Sequence, residues 1–335
     1  MAPGTSILVT GGAGYIGSHV VQRLVERGFD VTVLDNLCKG HREAVHPSAN
    51  FVQGDCGDKE ILGRIFTGRP FSAVLHFAAF IEAGESMRFP ERFFANNTAN
   101  TLRLLETMLE HGVDKFIFSS TAATYGAPLR TPMAEDHPQD PTNAYGLSKL
   151  LVEKALAWLH QLRGLRFAAL RYFNAAGCSK RLGEDHAPET HLIPLLLDVA
   201  LGKRDAVGLF GTDYPTPDGT CIRDYIHVED LASAHLLALQ ALEGQPKLHY
   251  NLGTETGYSV RQVIETARTI TGHAIPVREE PRREGDPPVL VASAARIRQE
   301  LGWEPAHSDL ASIIQSAWDW RRSHPDGYAA GQSPF

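Results

Sequence analysis

The run Ile7-Leu8-Val9-Thr10 breaks off into Gly11-Gly12-Ala13-Gly14-Tyr15-Ile16-Gly17. A short apolar segment that ends in clustered glycines reads as a buried strand entering a tight loop. Beyond the loop, Ile16, Val20, Val21, Leu24 and Val25 recur at helical spacing, and Gly28 supplies a stop signal. Val31-Thr32-Val33-Leu34 then reads as a second buried strand, ending at Asp35. Strand, glycine loop, helix, strand and acid make a dinucleotide-binding unit. Gly11, Gly14 and Gly17 let the backbone approach a pyrophosphate, and the N-terminus of the helix faces its negative charge. Asp35 stands 18 residues past Gly17, where it can accept hydrogen bonds from an adenosine ribose. That favours NAD over NADP. A glycine triplet alone is often only a tight turn; the flanking elements give this one its meaning.

Outward from this unit the alternation of strand and helix continues. Strands are expected at 51–55, at Ala73 to Ala79, at Lys115 to Thr121 and at Phe167 to Asn174, with helices over 91–111 and 143–160. The small residues after Phe77, Ala78 and Ala79, would let the backbone lie against the cofactor. His76 reads as a satisfied residue at a strand end rather than a catalytic one. Asn96 and Asn97 are poor helix formers inside a long helix, which suggests a polar contact near the sheet edge. After Asn174 the strict alternation stops. A helix near 190–202 and a turn-rich stretch over 211–219 precede a helix at 228–243 and a strand at His249 to Leu252. Further helices are expected at 259–272, 293–301 and 308–323, and the tail from Pro325 is expected to be loosely ordered. The fold class is therefore α/β: a doubly wound parallel sheet of Rossmann type with a smaller, discontinuous α/β lobe. The expected division is 1–174 plus about 226–254 for the NAD-binding domain, and about 175–225 and 255–335 for the substrate-binding lobe.

Composition excludes several classes. A chain of 335 residues with 43% hydrophobic and 21% charged residues has ample material for a core. Its net charge of −7 argues against general nucleic-acid binding, which needs a basic excess. No run approaches the length of a membrane span, and the N-terminus lacks the pattern of a signal peptide. The four cysteines, at 38, 56, 178 and 221, show neither Cys-x-x-Cys nor zinc spacing. No metal is expected from them, and a reduced, cytoplasmic protein is.

Tyr145 and Lys149 are four residues apart and share one face of the expected helix. An ammonium beside a phenol favours the phenolate, and a lowered tyrosine pKa suits a general base. In isolation the pair would be an ordinary solvated helix face. Thr121, at the carboxyl end of a central strand, brings a third hydroxyl to the crevice where ligands of such sheets bind. Thr121, Tyr145 and Lys149 are thus the candidate catalytic groups, although a threonine there could simply cap the strand end. Lys149 would also hydrogen bond the nicotinamide ribose.

The Gly-x-x-Gly-x-x-Gly spacing resembles the extended short-chain dehydrogenases/reductases. Thr10 to His19, Leu34 to Leu37, Phe118 to Thr121, Tyr145 to Lys149 and Arg171 to Asn174 are similar to the UDP-glucose 4-epimerase family. So are Asp218 to Val228 and Arg282-Arg283-Glu284-Gly285-Asp286. These motifs lie in both lobes and span nearly the whole chain. The resemblance implies reversible epimerisation of UDP-glucose and UDP-galactose at C4 through a transient 4-keto sugar, with tightly bound NAD, in galactose metabolism. It also implies a homodimer formed through the helices at 91–111 and 143–160.

The same resemblance places Tyr15, Ile16, Asn36, Asp55, Cys56, Phe77, Ala78, Ala79, Asn96, Tyr172 and Phe173 beside the cofactor. On the substrate side it implies that Asn174 contacts the diphosphate, Leu192 and Phe210 line the uracil pocket, and Asp286 accepts from the uridine ribose. Arg223 and Arg283 are what tight diphosphate binding calls for, because guanidinium forks match phosphate oxygens. Four positions depart from familiar members. Thr121 stands for serine. Ile81 stands for a cofactor-binding lysine. His191 replaces an asparagine at the diphosphate pocket and offers a pH-sensitive donor. Leu290 occupies the position whose size governs acceptance of N-acetylated sugars. The rival chemistry, nucleotide-sugar dehydration or decarboxylation, needs an acid just after the strand-end hydroxyl, and Ala122-Ala123 follow here. A net reductase using NADPH is disfavoured by Asp35, and a non-catalytic NAD sensor would not need all three catalytic groups.

Overall fold

The computed structural model describes residues 2–283 and 285–328. Thirteen strands and eleven α-helices follow one another among these residues. The first half contains β1 (Ser6–Thr10), α1 (Tyr15–Glu26), β2 (Asp30–Asp35), β3 (Asn50–Gln53), α2 (Lys59–Gly68), β4 (Ala73–His76), α3 (Ala83–Ser86), α4 (Pro90–Phe93), α5 (Asn100–Glu110), β5 (Lys115–Thr121), α6 (Ala144–Arg163) and β6 (Arg166–Tyr172). The second contains β7 (Asn174–Ala176), α7 (Leu192–Ala200), β8 (Val207–Phe210), β9 (Ile222–His227), α8 (Val228–Ala241), β10 (Lys247–Leu252), β11 (Gly257–Ser259), α9 (Val260–Thr271), β12 (Val277–Glu280), β13 (Val289–Leu290), α10 (Ala295–Leu301) and α11 (Leu310–Ser323).

The main sheet runs β10-β6-β5-β4-β1-β2-β3, and every pair in it is parallel. The order reverses beside β1, which is the switch point where such sheets open a ligand crevice at their carboxyl ends. Alternate residues of each strand feed opposite faces. Ile7 and Val9 join Val31, Val33 and Leu75 in a core covered by α1 and α8. Leu8 joins Leu34, Val74, Phe116 and Phe118 in the other, closed by α2, α5 and α6. Burial on both faces explains why these strands read as continuous apolar runs.

The second lobe has a core of its own, built from α7, β8, α9 and α11. An α/β lobe was expected, but its individual strands were not placed. β9 lies at the centre of a small sheet, paired with β7, β11 and β13, while β8 pairs with β12. One segment departs from the expected division of the chain: Ala294, Ile297 and Trp303 belong to the first core, not to the second. The Trp303 indole donates to the Asp230 carbonyl at the start of α8, which ties α10 under the Rossmann sheet. Residues 329–335 of the tail lie outside the described residues. The part before them is fastened, since the Tyr328 backbone N–H donates to Asp185 and its hydroxyl hydrogen bonds the Gly183 backbone.

The helix expected over 91–111 is interrupted. Phe94–Ala99 forms a π-helical turn between α4 and α5. The two asparagines explain it. The Asn97 amide exchanges two hydrogen bonds with the Phe80 backbone and donates to Ser148 on α6. The extra backbone residue of the turn aims Asn96 at the central cavity. Such bulges recur at functional sites.

Candidate active site

One cavity of about 760 Å³ runs along the carboxyl ends of the sheet and under the second lobe. The cofactor, diphosphate, uridine and catalytic residues nominated from the sequence line it, while Leu290 does not. Its size fits a ligand larger than a single nucleotide.

At the cofactor end the backbone comes too close for side chains. Gly11 has φ +74°, and a Cβ there would fall 2.4 Å from the Ala78 nitrogen. A Cβ on Gly17 would fall 2.1 Å from the Gly11 carbonyl oxygen. The N-terminus of α1, capped by no side chain, opens beside these glycines. That is a cradle for a pyrophosphate. Asp35 ends β2 with both oxygens already anchored: Ala13 N–H donates to one at 3.0 Å and Leu37 N–H to the other at 2.9 Å. Each oxygen retains a lone pair for a ribose hydroxyl. Asp55 accepts from the Asn36 and Asn100 side chains and from Gly57 N–H, fixing the adenosine end. These groups fit a dinucleotide without a 2′-phosphate. His76 is buried, its two ring nitrogens bonded to Thr10 and Thr101, and burial lowers it to about 3. It is a structural residue.

Ile81 lines the cavity rim, and no lysine is there. A lysine reaches the same rim from elsewhere: Lys39, also in the lining, pairs with Glu82 at 2.5 Å. Sequence reading missed Lys39 because nothing in its own neighbourhood marks it.

The catalytic groups meet at the centre. Asn143 caps α6 by accepting from Gly146 N–H, and α6 then presents Tyr145 and Lys149 to the ends of β5 and β6. Gly146 is required there, since a Cβ would fall 2.3 Å from the Ala123 carbonyl oxygen. Thr121 caps the following turn, accepting from Ala123 N–H, and its hydroxyl stands close enough to the Tyr145 phenol to pull that group's pKa down. Burial nevertheless pushes Tyr145 up to about 12, against the pull of Thr121 and with help from the Glu82 charge. Lys149 is not a solvated helix residue: its ammonium is buried, donates to the Ser119 carbonyl at 2.9 Å and lies 4.9 Å above the Phe118 ring. Burial pulls its pKa down to about 7. The pull on Tyr145 was expected from Lys149, with the positive nicotinamide of NAD+ adding to it; among the protein's own groups burial outweighs that pull. Both groups are dry, burial disfavours both charges, and the ammonium is directed at a backbone carbonyl.

On the substrate side the arginines are held in different ways. The Arg223 guanidinium donates to the carbonyls of Ile222 and Pro287 and pairs with Asp286 at 3.1 Å. Arg283 lies over the Phe210 ring, its Cζ 3.9 Å from the ring centroid. Asn174 donates to the Asp224 carbonyl. Asp224 in turn accepts from the backbone of Thr254, Glu255 and Ala292, which locks β9 into the lobe junction. Leu290 is not among the residues that line the cavity; it sits on β13, paired in register with Arg223, which does line it.

Glu184, His186, Glu189 and His191 converge on the loop before α7. His191 lies 2.9 Å from Glu184 and 3.0 Å from Glu189. Burial alone would lower the imidazole, but the two carboxylates outweigh it and hold His191 well above the usual histidine range. It is not the donor titrating near neutrality that was expected.

This fold and site define a dinucleotide-dependent enzyme of the short-chain dehydrogenase/reductase type. Residues 7–253 match the NAD dependent epimerase/dehydratase family. A UDP-glucose 4-epimerase of Streptococcus mutans is 52% identical over 328 residues, 96% of this chain and 98% of the relative. A solved UDP-glucose 4-epimerase from Brucella ovis in complex with NAD superposes with a TM-score of 0.91 at 45% identity, covering 94% of this chain and 97% of that one. The Bifidobacterium longum enzyme in complex with NAD+ and UDP gives 0.92 at 37% identity, covering 97% and 100%. The chain belongs to the NAD dependent epimerase/dehydratase family and, within it, to the UDP-glucose 4-epimerases.

Proposed function

We propose that this protein interconverts UDP-glucose and UDP-galactose at C4 of the sugar, with NAD as its cofactor, in galactose metabolism. The observation that carries this reading is the meeting of Thr121, Tyr145 and Lys149 with the glycine cradle and Asp35 along one cavity that continues to Arg223 and Arg283. Bound NAD+ supplies the acceptor for the C4 hydrogen. Tyr145 is the base that removes the proton from the 4-hydroxyl, with Thr121 holding the reacting oxygen and relaying that proton. Lys149 hydrogen bonds the nicotinamide ribose and adds charge near the phenol. Asn174, Arg223 and Arg283 grip the diphosphate while Leu192, Phe210 and Asp286 position the uridine. A sugar held only through its nucleotide can turn its 4-keto carbon over before the hydrogen returns. Purified protein given UDP-galactose and no added cofactor is expected to form UDP-glucose, and absence of product at any pH tried would overturn the reading.

With the protein groups alone leaving Tyr145 at about 12, the oxidised nicotinamide adds the further positive charge that lowers it. An ultraviolet difference titration, wild type minus Tyr145→Phe, is therefore expected to show phenolate forming well below pH 12 with NAD+ bound. With NADH bound it should form at higher pH. The base is competent above its pKa, so activity should rise with pH through the NAD+ value. Equal pKa values in the two forms would contradict the proposed coupling.

We also propose a cytoplasmic homodimer. No helix among the described residues is long and apolar enough to cross a membrane. Leu147, Leu151, Trp158 and Leu162 form an apolar stripe on α6, with Leu102 exposed on neighbouring α5. Trp158 and Leu162 are 61% and 68% exposed in the single chain, a grouping that favours an interface. Trp158→Glu is expected to shift the dimer to monomer in light scattering at micromolar concentration. An unchanged mass would place the interface elsewhere.

A further inference from the structure

Glu184-Asp185-His186-Ala187-Pro188-Glu189-Thr190-His191 lies between β7 and α7 at the cavity edge. One donor atom from each of Glu184, His186, Glu189 and His191 lies within 4.8 Å of all the others. Four donors bound at ~2.0–2.1 Å around one tetrahedral centre stand ~3.3 Å apart. Around Glu184 Oε1, His191 Nδ1 stands at 2.9 Å and His186 Nδ1 at 3.3 Å, while Glu189 approaches His191 Nδ1 through Oε1 at 3.0 Å and His186 Nδ1 through Oε2 at 3.9 Å.

An ion-pair network alone leaves one atom unexplained. His186 Nδ1 is buried and makes no hydrogen bond, although the Glu184 carboxylate is only 3.3 Å away. Glu189 divides its two oxygens. Oε1 accepts from the Thr190 and His191 amides ahead of α7, and Oε2 is the oxygen nearer His186. Two carboxylates in a largely buried pocket ask for two positive charges, which one dication brings while both imidazoles stay neutral.

We propose that Glu184, His186, Glu189 and His191 bind one divalent transition metal, with zinc as the best match to two imidazole nitrogens and two carboxylate oxygens. The ion would pin the loop over the cofactor to the start of α7. That loop already touches the glycine loop, since the Tyr15 ring meets His186 edge-on and its hydroxyl donates to the Gly177 carbonyl. A metal there would join the two halves of the cavity. The cysteine spacing examined in the sequence could not reveal the site, because its ligands are histidines and glutamates.

The test uses untagged, NAD-containing protein stripped with chelator and titrated separately with Zn²⁺ and Co²⁺. One equivalent is expected to bind, with the intense visible absorption of four-coordinate Co²⁺. His186→Gln removes a donor that makes no hydrogen bond in the protein. It should weaken binding at least ~100-fold, since even an outer partner of a ligand is worth ~10–100-fold. X-ray absorption of the zinc-loaded wild type should show only nitrogen and oxygen neighbours, a readout that needs no variant. No bound equivalent, equal affinity in His186→Gln, or a sulfur neighbour would each overturn the proposal.

Discussion

Tyr145→Phe is expected to lower turnover by at least ~10²-fold, the ordinary scale of general acid–base catalysis, while fold and bound NAD persist. The substitution removes one oxygen from a side chain whose ring is buried against the cavity wall, so packing is kept. What disappears is the hydroxyl that faces Thr121 at the end of β5. No other tyrosine substitutes for it. The Tyr172 phenol also lines the cavity, but it is bonded to His235 at 2.5 Å, and burial raises it further than Tyr145. Turnover of UDP-galactose and the NAD released on denaturation separate the two consequences. A variant with full NAD content and near-normal turnover would remove Tyr145 from its role.

The second large effect lies behind the site. Glu153, on α6, meets Arg171, on β6, through two parallel bonds of 2.6 and 3.0 Å, with side chains only 3% and 5% exposed. The carboxylate also accepts from Ser120, which precedes Thr121, and Arg171 reaches the Tyr125 hydroxyl, which donates to Asn251 on β10. Helix α6 is thereby locked to the strand ends that complete the catalytic group. Glu153→Ala leaves the guanidinium buried without its anion and is expected to cost ~3–5 kcal/mol of stability. Denaturant midpoints at one fixed protein concentration would measure it. A loss under ~1 kcal/mol, the scale of an exposed pair, would show that the network does not hold α6.

What could be read in the sequence was the chemistry that local backbone geometry enforces. Gly11, Gly14, Gly17 and Asp35 announce themselves because each sits where only a bare or acidic residue serves a dinucleotide. Tyr145 and Lys149 are four apart on a helix, so their common face needed no tertiary information. Distant partners hid the rest. Ile222 to His227 did not read as a strand because Asp224 and His227 interrupt its apolar pattern. Both are buried, and Asp224 is satisfied by amides that arrive from residues 254, 255 and 292. The π-turn at Phe94–Ala99 was visible only as two misplaced asparagines, and the partners of Asn97, Phe80 and Ser148, lie outside that helix. The burial of Lys149, which pulls its pKa down, follows from the ring of Phe118 and the Ser119 carbonyl at the end of a separate strand. Trp303 joined the wrong lobe in the sequence reading because its anchor is Asp230, 73 residues earlier.

The central claim is a reversible oxidation at C4, with the same hydrogen carried away and returned inside one cavity. UDP-galactose bearing deuterium at C4, incubated with the protein in ordinary water, tests it most directly. The UDP-glucose formed is expected to keep its deuterium at C4, and loss of the label to solvent would contradict the claim.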